Sequence, residues 1–248
     1  MATQIAEYRG AVDHLPEGGM LVLQDVTWES YEQLVEDLWD RPGVRVTYDQ
    51  GRLEIMTPLP EHEEYKRFVE RIVDALGEEL DLNVEPRGSA TWKRSGDARG
   101  TEPDSCFYVA NSNRIIGKRE IDLRTDPPPD VVVEIDTTNE SLSKFPIYAS
   151  FGVPEIWRYD ARHNRVAMYE LRGHVYVEIP SSRSFPILTA EVLAKAIEQS
   201  KSQGQKAAMA AFRRWINDAR PAASEDAAES QGLSDRRPDQ DAGHAQDE

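Results

Sequence analysis

Between residues 61 and 82, EHEEYKRFVERIVDALGEELDL, the apolar side chains fall at Tyr65, Phe68, Val69, Ile72, Val73, Leu76 and Leu80. This spacing of three and four predicts an amphipathic helix with one broad buried stripe, and three acids in its first turn suit the positive end of the helix dipole. A shorter helix is predicted over 27–39, TWESYEQLVEDLW. Thr27 is its N-cap, and Tyr31, Leu34, Val35 and Leu38 share one face. Between these helices, VRVTYDQGRLEIMT (44–57) alternates about Asp49-Gln50-Gly51, the pattern of two antiparallel strands joined by a tight turn.

Short strand-like pieces follow at 83–86, 90–94 and 104–110, the last two separated by the polar loop KRSGDARG. PPPDVVVEID then holds a continuous valine run, which predicts a strand buried on both faces. After it, NESLSKFPIYASFG reads as a short helix that ends at Gly152 and carries Pro146 in its first turn. PEIWRYD, RVAMYEL and HVYVEI form a meander, the last two joined at Arg172-Gly173. A helical stretch from Thr189 to about Ala219 is interrupted near SQGQ. Helix, hairpin, long helix, strands, helix and meander make an α+β (mixed α/β) order rather than a regular strand–helix alternation. Neither a dinucleotide glycine fingerprint nor a phosphate-cradling glycine-lysine loop occurs, which lowers the standing of nucleotide-dependent enzymes.

Composition divides the chain. With 248 residues and 39% apolar content, one large domain with a full core is expected. From residue 220 onward there is one Leu and no aromatic or β-branched residue, so this tail cannot offset the entropy of ordering and is expected to be disordered. The expected layout is an N-terminal extension (1–24), a main domain (25–188), a helical segment (189–219) and an acidic tail (220–248).

Net charge is −16, of which −5 belongs to the tail. So acidic a chain is not expected to coat nucleic acid through a broad basic face, although a local basic patch is compatible with it. Cys106 is the only cysteine, which excludes an internal disulfide and a cysteine-based zinc site and fits a reducing cytoplasm. Neither a membrane span nor a secretion signal is legible, so a soluble cytoplasmic protein is expected.

The candidate chemistry lies in two acidic strand segments. Asp104 begins the strand of TEPDSCFYVA, and Glu134 lies near the end of the valine strand. If the two strands are neighbours, their carboxylates converge within reach of one metal, and such hard oxygen ligands suit Mg²⁺ or Mn²⁺. The metal would activate a water and offset charge on a phosphoryl group. Lys144, ten residues after Glu134, can fold back over the strand end and present its ammonium to the same water or phosphate.

GRLEIMTPLPEHEEYKRFVERIVDAL, EPDSCFYV and PPDVVVEIDTTNESLSKFPIYASFGVPEIWRYD resemble the Uma-two family of the PD-(D/E)xK restriction-endonuclease-like superfamily, over roughly residues 25–185. The resemblance implies a central mixed β-sheet flanked by helices and metal-dependent cleavage of DNA, as a homodimer. It implies Asp104 as the Asp of the Pro-Asp motif, Glu134 as the acid of the second strand and Glu61 as a further metal ligand from the long helix. The superfamily's Glu-x-Lys is absent, because Asp136 stands two residues after Glu134. Lys144, four residues before Tyr148, is the matching lysine.

Each assignment has a plainer alternative. Pro-Asp is a common way to begin a strand, and Glu134 can be neutralised by a buried Arg or Lys. Glu61 can be a helix N-terminal acid and Lys144 a solvated helix residue. His62, beside Glu61, invites a metal or general-base role, but a lone histidine in a helix's first turn is expected to be exposed. Asp136 either joins the metal shell or hydrogen-bonds the start of the next helix. The expected function is a metal-dependent endonuclease. The alternatives are a catalytically inactive nuclease-fold protein acting as an interaction or scaffold module, and a metal-dependent phosphoesterase acting on a small nucleotide.

Overall fold

The computed structural model describes residues 2–38, 41, 43–138 and 141–219; the acidic tail from 220 lies outside the described residues. Along the chain, α1 (Ala2–Asp13) leads to β1 (Met20–Leu23), α2 (Trp28–Asp37), the hairpin β2 (Arg45–Asp49) and β3 (Arg52–Met56), and the long α3 (Pro60–Leu80). Four short strands follow, β4 (Glu85–Pro86), β5 (Trp92–Arg94), β6 (Arg99–Thr101) and β7 (Ser105–Tyr108). Then come β8 (Val131–Asp136), α4 (Phe145–Phe151), β9 (Glu155–Asp160), β10 (Arg165–Arg172), β11 (Val175–Ile179), α5 (Ala190–Gln203) and α6 (Gln205–Ala219).

The strands form two sheets, β1-β3-β2-β6-β5, antiparallel throughout, and β11-β10-β9-β8-β7-β4, in which only β8 and β9 are parallel. The second is the central mixed sheet expected from the resemblance. Its middle strand is the valine run, and all six residues of β8 are buried. Alternation sorts them between two layers. Val131, Val133 and Ile135 meet Phe68, Ile72 and Leu76 of α3. Val132 meets Ile147 and Tyr148 of α4 on the other face. Each fully buried valine contributes about 2 kcal/mol of hydrophobic stabilisation. The same alternation gives Glu134 and Asp136 the parity of Val132, on the α4 side.

The expected helices are present. Thr27 Oγ1 accepts a hydrogen bond from Ser30 N (3.2 Å) as the N-cap of α2, and Gly204, with φ of +83°, separates α5 from α6 where SQGQ predicted a break. These last two helices lie against α3, where Arg213 bonds Glu78 and Glu79 at 2.7 and 2.6 Å.

Two features depart from the expectation. The polar loop KRSGDARG is largely a hairpin: β5 and β6 pair Lys93 with Gly100 and Arg94 with Arg99 around a 3₁₀ turn at Ser95–Asp97. Three-residue strands are too short to display alternation, and β6 is set by its other neighbour, β2. Met20–Leu23, within the segment expected as an N-terminal extension, pairs along its whole length with β3. No helix among the described residues is long and apolar enough to cross a membrane.

Candidate active site

The antiparallel register of β7 and β8, Ser105 opposite Val133, extends by one step to set Asp104 beside Glu134. Asp104 accepts a hydrogen bond from Ile135 N at its Oδ2 (2.6 Å), and the same oxygen lies 3.0 Å from His62 Nε2. Its Oδ1 is buried without a partner. Glu134 is bound at both oxygens, by Lys144 Nζ at 2.9 Å and by the Tyr148 hydroxyl.

Lys144 also donates to Glu102 O (3.2 Å). It ends the 3₁₀ turn Ser141–Lys144 that opens α4, and Tyr148 stands one helical turn further on, so both side chains reach the strand from one face. Asp136 serves the chain rather than the carboxylate pair. Ser141 N donates to its Oδ1 (3.0 Å) at the start of that turn, and Arg158 Nε to its Oδ2 (2.5 Å). Asp104 and Glu134 are each 1% exposed, and with His62, Lys144 and Glu54 they line a cavity of about 30 Å³, room for a water or a bare cation.

The sequence-predicted residues are thus partly gathered. Asp104, Glu134 and Lys144 meet. Glu61 does not join them: it is exposed, its carboxylate accepts from the Tyr65 hydroxyl, and it does not line the cavity. Its neighbour does. His62, expected to be exposed, is 2% exposed and lies against Asp104. The available signal was periodicity, since His62 precedes Tyr65 by three residues and Val69 by seven and so falls on the buried stripe of α3. Glu54 of β3, 6% exposed and ion-paired with Arg52, was also missed because its strand reads as an ordinary alternating hairpin arm.

The charges are interdependent. Burial drives the Glu134 carboxyl up, to about 7, with Lys144 opposing and the Asp104 charge adding to the rise. Burial also acts to raise Asp104, but the hydrogen bond and charge of His62, with Lys144 behind them, hold it below the usual carboxylate range. Burial opposes the charged ring of His62, yet Asp104 and Glu63 outweigh it and raise its pKa to about 9. Burial likewise opposes the Lys144 ammonium, while Glu134 and Asp104 lift its pKa above the ordinary lysine value.

Among the described residues, no group of three His, Cys, Asp or Glu side chains converges as a ready-made metal cage. The donor set nevertheless fits one kind of cation. Magnesium is commonly held by one or two carboxylates and keeps several waters, and the unpartnered Asp104 Oδ1 beside Glu134 offers that arrangement.

The crystal structure of a protein from Anabaena variabilis, described as a putative nuclease, is similar at a TM-score of 0.49 and 17% identity, covering 69% of this chain and 99% of that one. No curated protein matches the chain. A family model described as "Uma2: Putative restriction endonuclease" matches residues 28–200, from the first residue of α2 to within α5, and so takes in the β2–β3 hairpin, the whole six-stranded sheet, Asp104, Glu134 and Lys144. By that match over more than half of its length, the chain belongs to the Uma2 family.

Proposed function

We propose that this chain is a metal-dependent endonuclease that hydrolyses DNA phosphodiester bonds at the Asp104–Glu134–Lys144 cluster. One observation carries the reading: two carboxylates and an ammonium from separate segments share one buried cavity, and one carboxylate oxygen there has no partner. Asp104 and Glu134 would hold Mg²⁺ or Mn²⁺. When bound, such a cation supplies Lewis-acid charge and a more acidic water.

The remaining roles belong to the chain. Ile135 N and His62 fix Asp104 through Oδ2 and leave Oδ1 turned to other use. Glu134, whose carboxyl burial raises to about 7 with no cation bound, would be held ionised by the cation and by Lys144. Lys144 keeps its positive charge in the buried site, where it would stabilise the negative charge that grows on a phosphoryl group under attack. Glu61 has no part in this account. A homodimer, implied by the resemblance, fits the cutting of two strands and is checked by sedimentation.

The test is cleavage of supercoiled plasmid with Mg²⁺ or Mn²⁺. Wild type is expected to cut only with the cation, and Asp104→Ala and Glu134→Ala are each expected to lose at least about a hundredfold in rate, as when a group acting on developing charge is removed. Cation-dependent cutting that survives both substitutions overturns the assignment. A second reading, an inactive interaction module, is favoured by Lys144 and Tyr148 already occupying both Glu134 oxygens. Calorimetric titration with Mn²⁺ separates the two, since the inactive module takes up none.

A further inference from the structure

A chain with net charge −16 has little positive surface to spare, which makes one groove stand out. A concavity of about 520 Å³ runs between β2, the β4–β5 segment and the 119–121 loop. Four arginines line it, Arg41, Arg45, Arg87 and Arg119, against two carboxylates, Glu102 and Glu120.

Glu102 is committed to holding backbone and side chain together. Val46 N donates to its Oε2 (3.2 Å) and Thr91 Oγ1 to its Oε1 (2.7 Å). Arg41 is ion-paired with Asp13, a half-exposed carboxylate that a phosphate can displace, and the other three arginines are less engaged. Arg87 donates to a neutral acceptor, Ile115 O, at 2.8 Å, and its Nε has no partner. Among the described residues, no carboxylate lies within ion-pair distance of Arg87 or Arg119. Arg45 has an unpartnered Nε, and its one acidic partner, Glu63 at 3.2 Å, is 46% exposed, a pair of small net worth that a phosphate can displace.

Position gives the groove its meaning. Arg45 lines this groove, the adjoining concavity beside Pro58 and Leu59, and the cavity that holds Asp104, Glu134 and Lys144. Glu102 also spans the two regions, with its carboxylate in the groove and its carbonyl oxygen on Lys144 Nζ. A polyanion lying along the arginines would therefore pass the mouth of the candidate active site. We propose that the Arg41–Arg45–Arg87–Arg119 groove binds the phosphodiester backbone of a DNA strand and leads it to that site. The inference rests on the nuclease reading. Guanidinium groups suit the task because they pair with phosphate through two parallel N–H donors, and such contacts position a strand without reading its sequence.

The experiment measures the affinity of the full chain for fluorescein-labelled duplex and single-stranded DNA by anisotropy, over a range of salt, with EDTA present so that nothing is cut. The variants are Arg119→Glu, the double variant Arg87→Gln/Arg119→Glu, and two controls outside the groove that match them in charge, Arg172→Glu and Arg165→Gln/Arg172→Glu. The groove double variant is expected to bind at least about tenfold more weakly and to lower the slope of log affinity against log salt by about two, one for each phosphate contact removed. Both controls are expected to bind like wild type.

Equal weakening by the charge-matched control, an unchanged groove double variant, or no binding by wild type overturns the groove assignment. Circular dichroism of each variant identifies any that has failed to fold, and Arg119→Glu, with its exposed side chain, keeps the question answerable if Arg87→Gln does not fold. The cleavage assay with Asp104→Ala fails or succeeds independently. A strand can be bound in the groove and not cut, or cut at the acidic site with no help from these arginines.

Discussion

His62 is the residue on which the arrangement around Asp104 turns, and it gives that arrangement a pH dependence. Its folded pKa of about 9 lies above the ordinary value of 6.5. A raised pKa means that the folded state holds the proton more tightly. The stabilisation is therefore complete below about 6.5 and is lost as pH rises through about 9. Its ceiling is about 3 kcal/mol at 1.4 kcal/mol per pKa unit. In EDTA, the melting temperature of wild type minus that of His62→Gln should be largest at or below pH 6.5 and shrink toward pH 9; a difference constant across that window removes the ion-pair account. Glu134 makes the complementary case. Its neutralisation by a lysine was anticipated as the plainer alternative to metal binding, and the structure has Lys144 in contact with it. The catalytic and structural readings of these two residues thus use one and the same pair.

At the scale of elements, the seating of α2 on the antiparallel sheet depends on a single missing side chain. A Cβ built on Gly100 of β6 would lie 2.0 Å from the Tyr31 hydroxyl oxygen and 2.6 Å from its Cζ. Tyr31 is fully buried and stacked on Tyr48 with ring centroids 4.8 Å apart, so it has no free direction in which to yield. Gly100→Ala should cost about 3 kcal/mol in urea unfolding, the upper range of overpacking. The Tyr31 hydroxyl itself has no hydrogen-bond partner. Tyr31→Phe should therefore stabilise by about 1 kcal/mol and recover part of the loss when combined with Gly100→Ala. A Gly100→Ala protein as stable as wild type would mean that α2 shifts freely on its sheet. The helices α2 and α3 were legible because their apolar stripes run for several turns, whereas β6 acquires its identity from β2 and β5 and carries no signal of its own.

For the whole molecule, the dominant electrostatic fact is a net charge of −16, with −5 contributed by residues 220–248. If DNA is the substrate, that charge opposes its approach, and the opposition is screened by salt. A chain ending at residue 219 is expected to bind labelled DNA severalfold more tightly than the full chain at low ionic strength and equally at 1 M salt, where the screening length is about 3 Å. Equal affinity at low salt would show that the tail charge does not oppose the strand. The same long-range repulsion would make the proposed arginine groove matter more here than on a basic protein.

The sequence alone determined the long helix, the buried valine strand, the hairpin and the break before α6, because each is a local pattern repeated over enough residues to be read without knowing its neighbours. It also marked Glu134, since a carboxylate in an apolar strand demands a partner wherever the strand goes, whereas Asp104 and Lys144 drew their weight from the family resemblance. The division into two sheets, the inclusion of Met20–Leu23 in one of them, and the choice of His62 rather than Glu61 beside Asp104 were decided only in three dimensions. Adjacent residues on a helix point about 100° apart, and which of them faces a carboxylate depends on how the helix is set on the sheet by apolar contacts far away in sequence. The arginine groove belongs with these, for its four cations come from separate segments and become a single site only when the chain has folded.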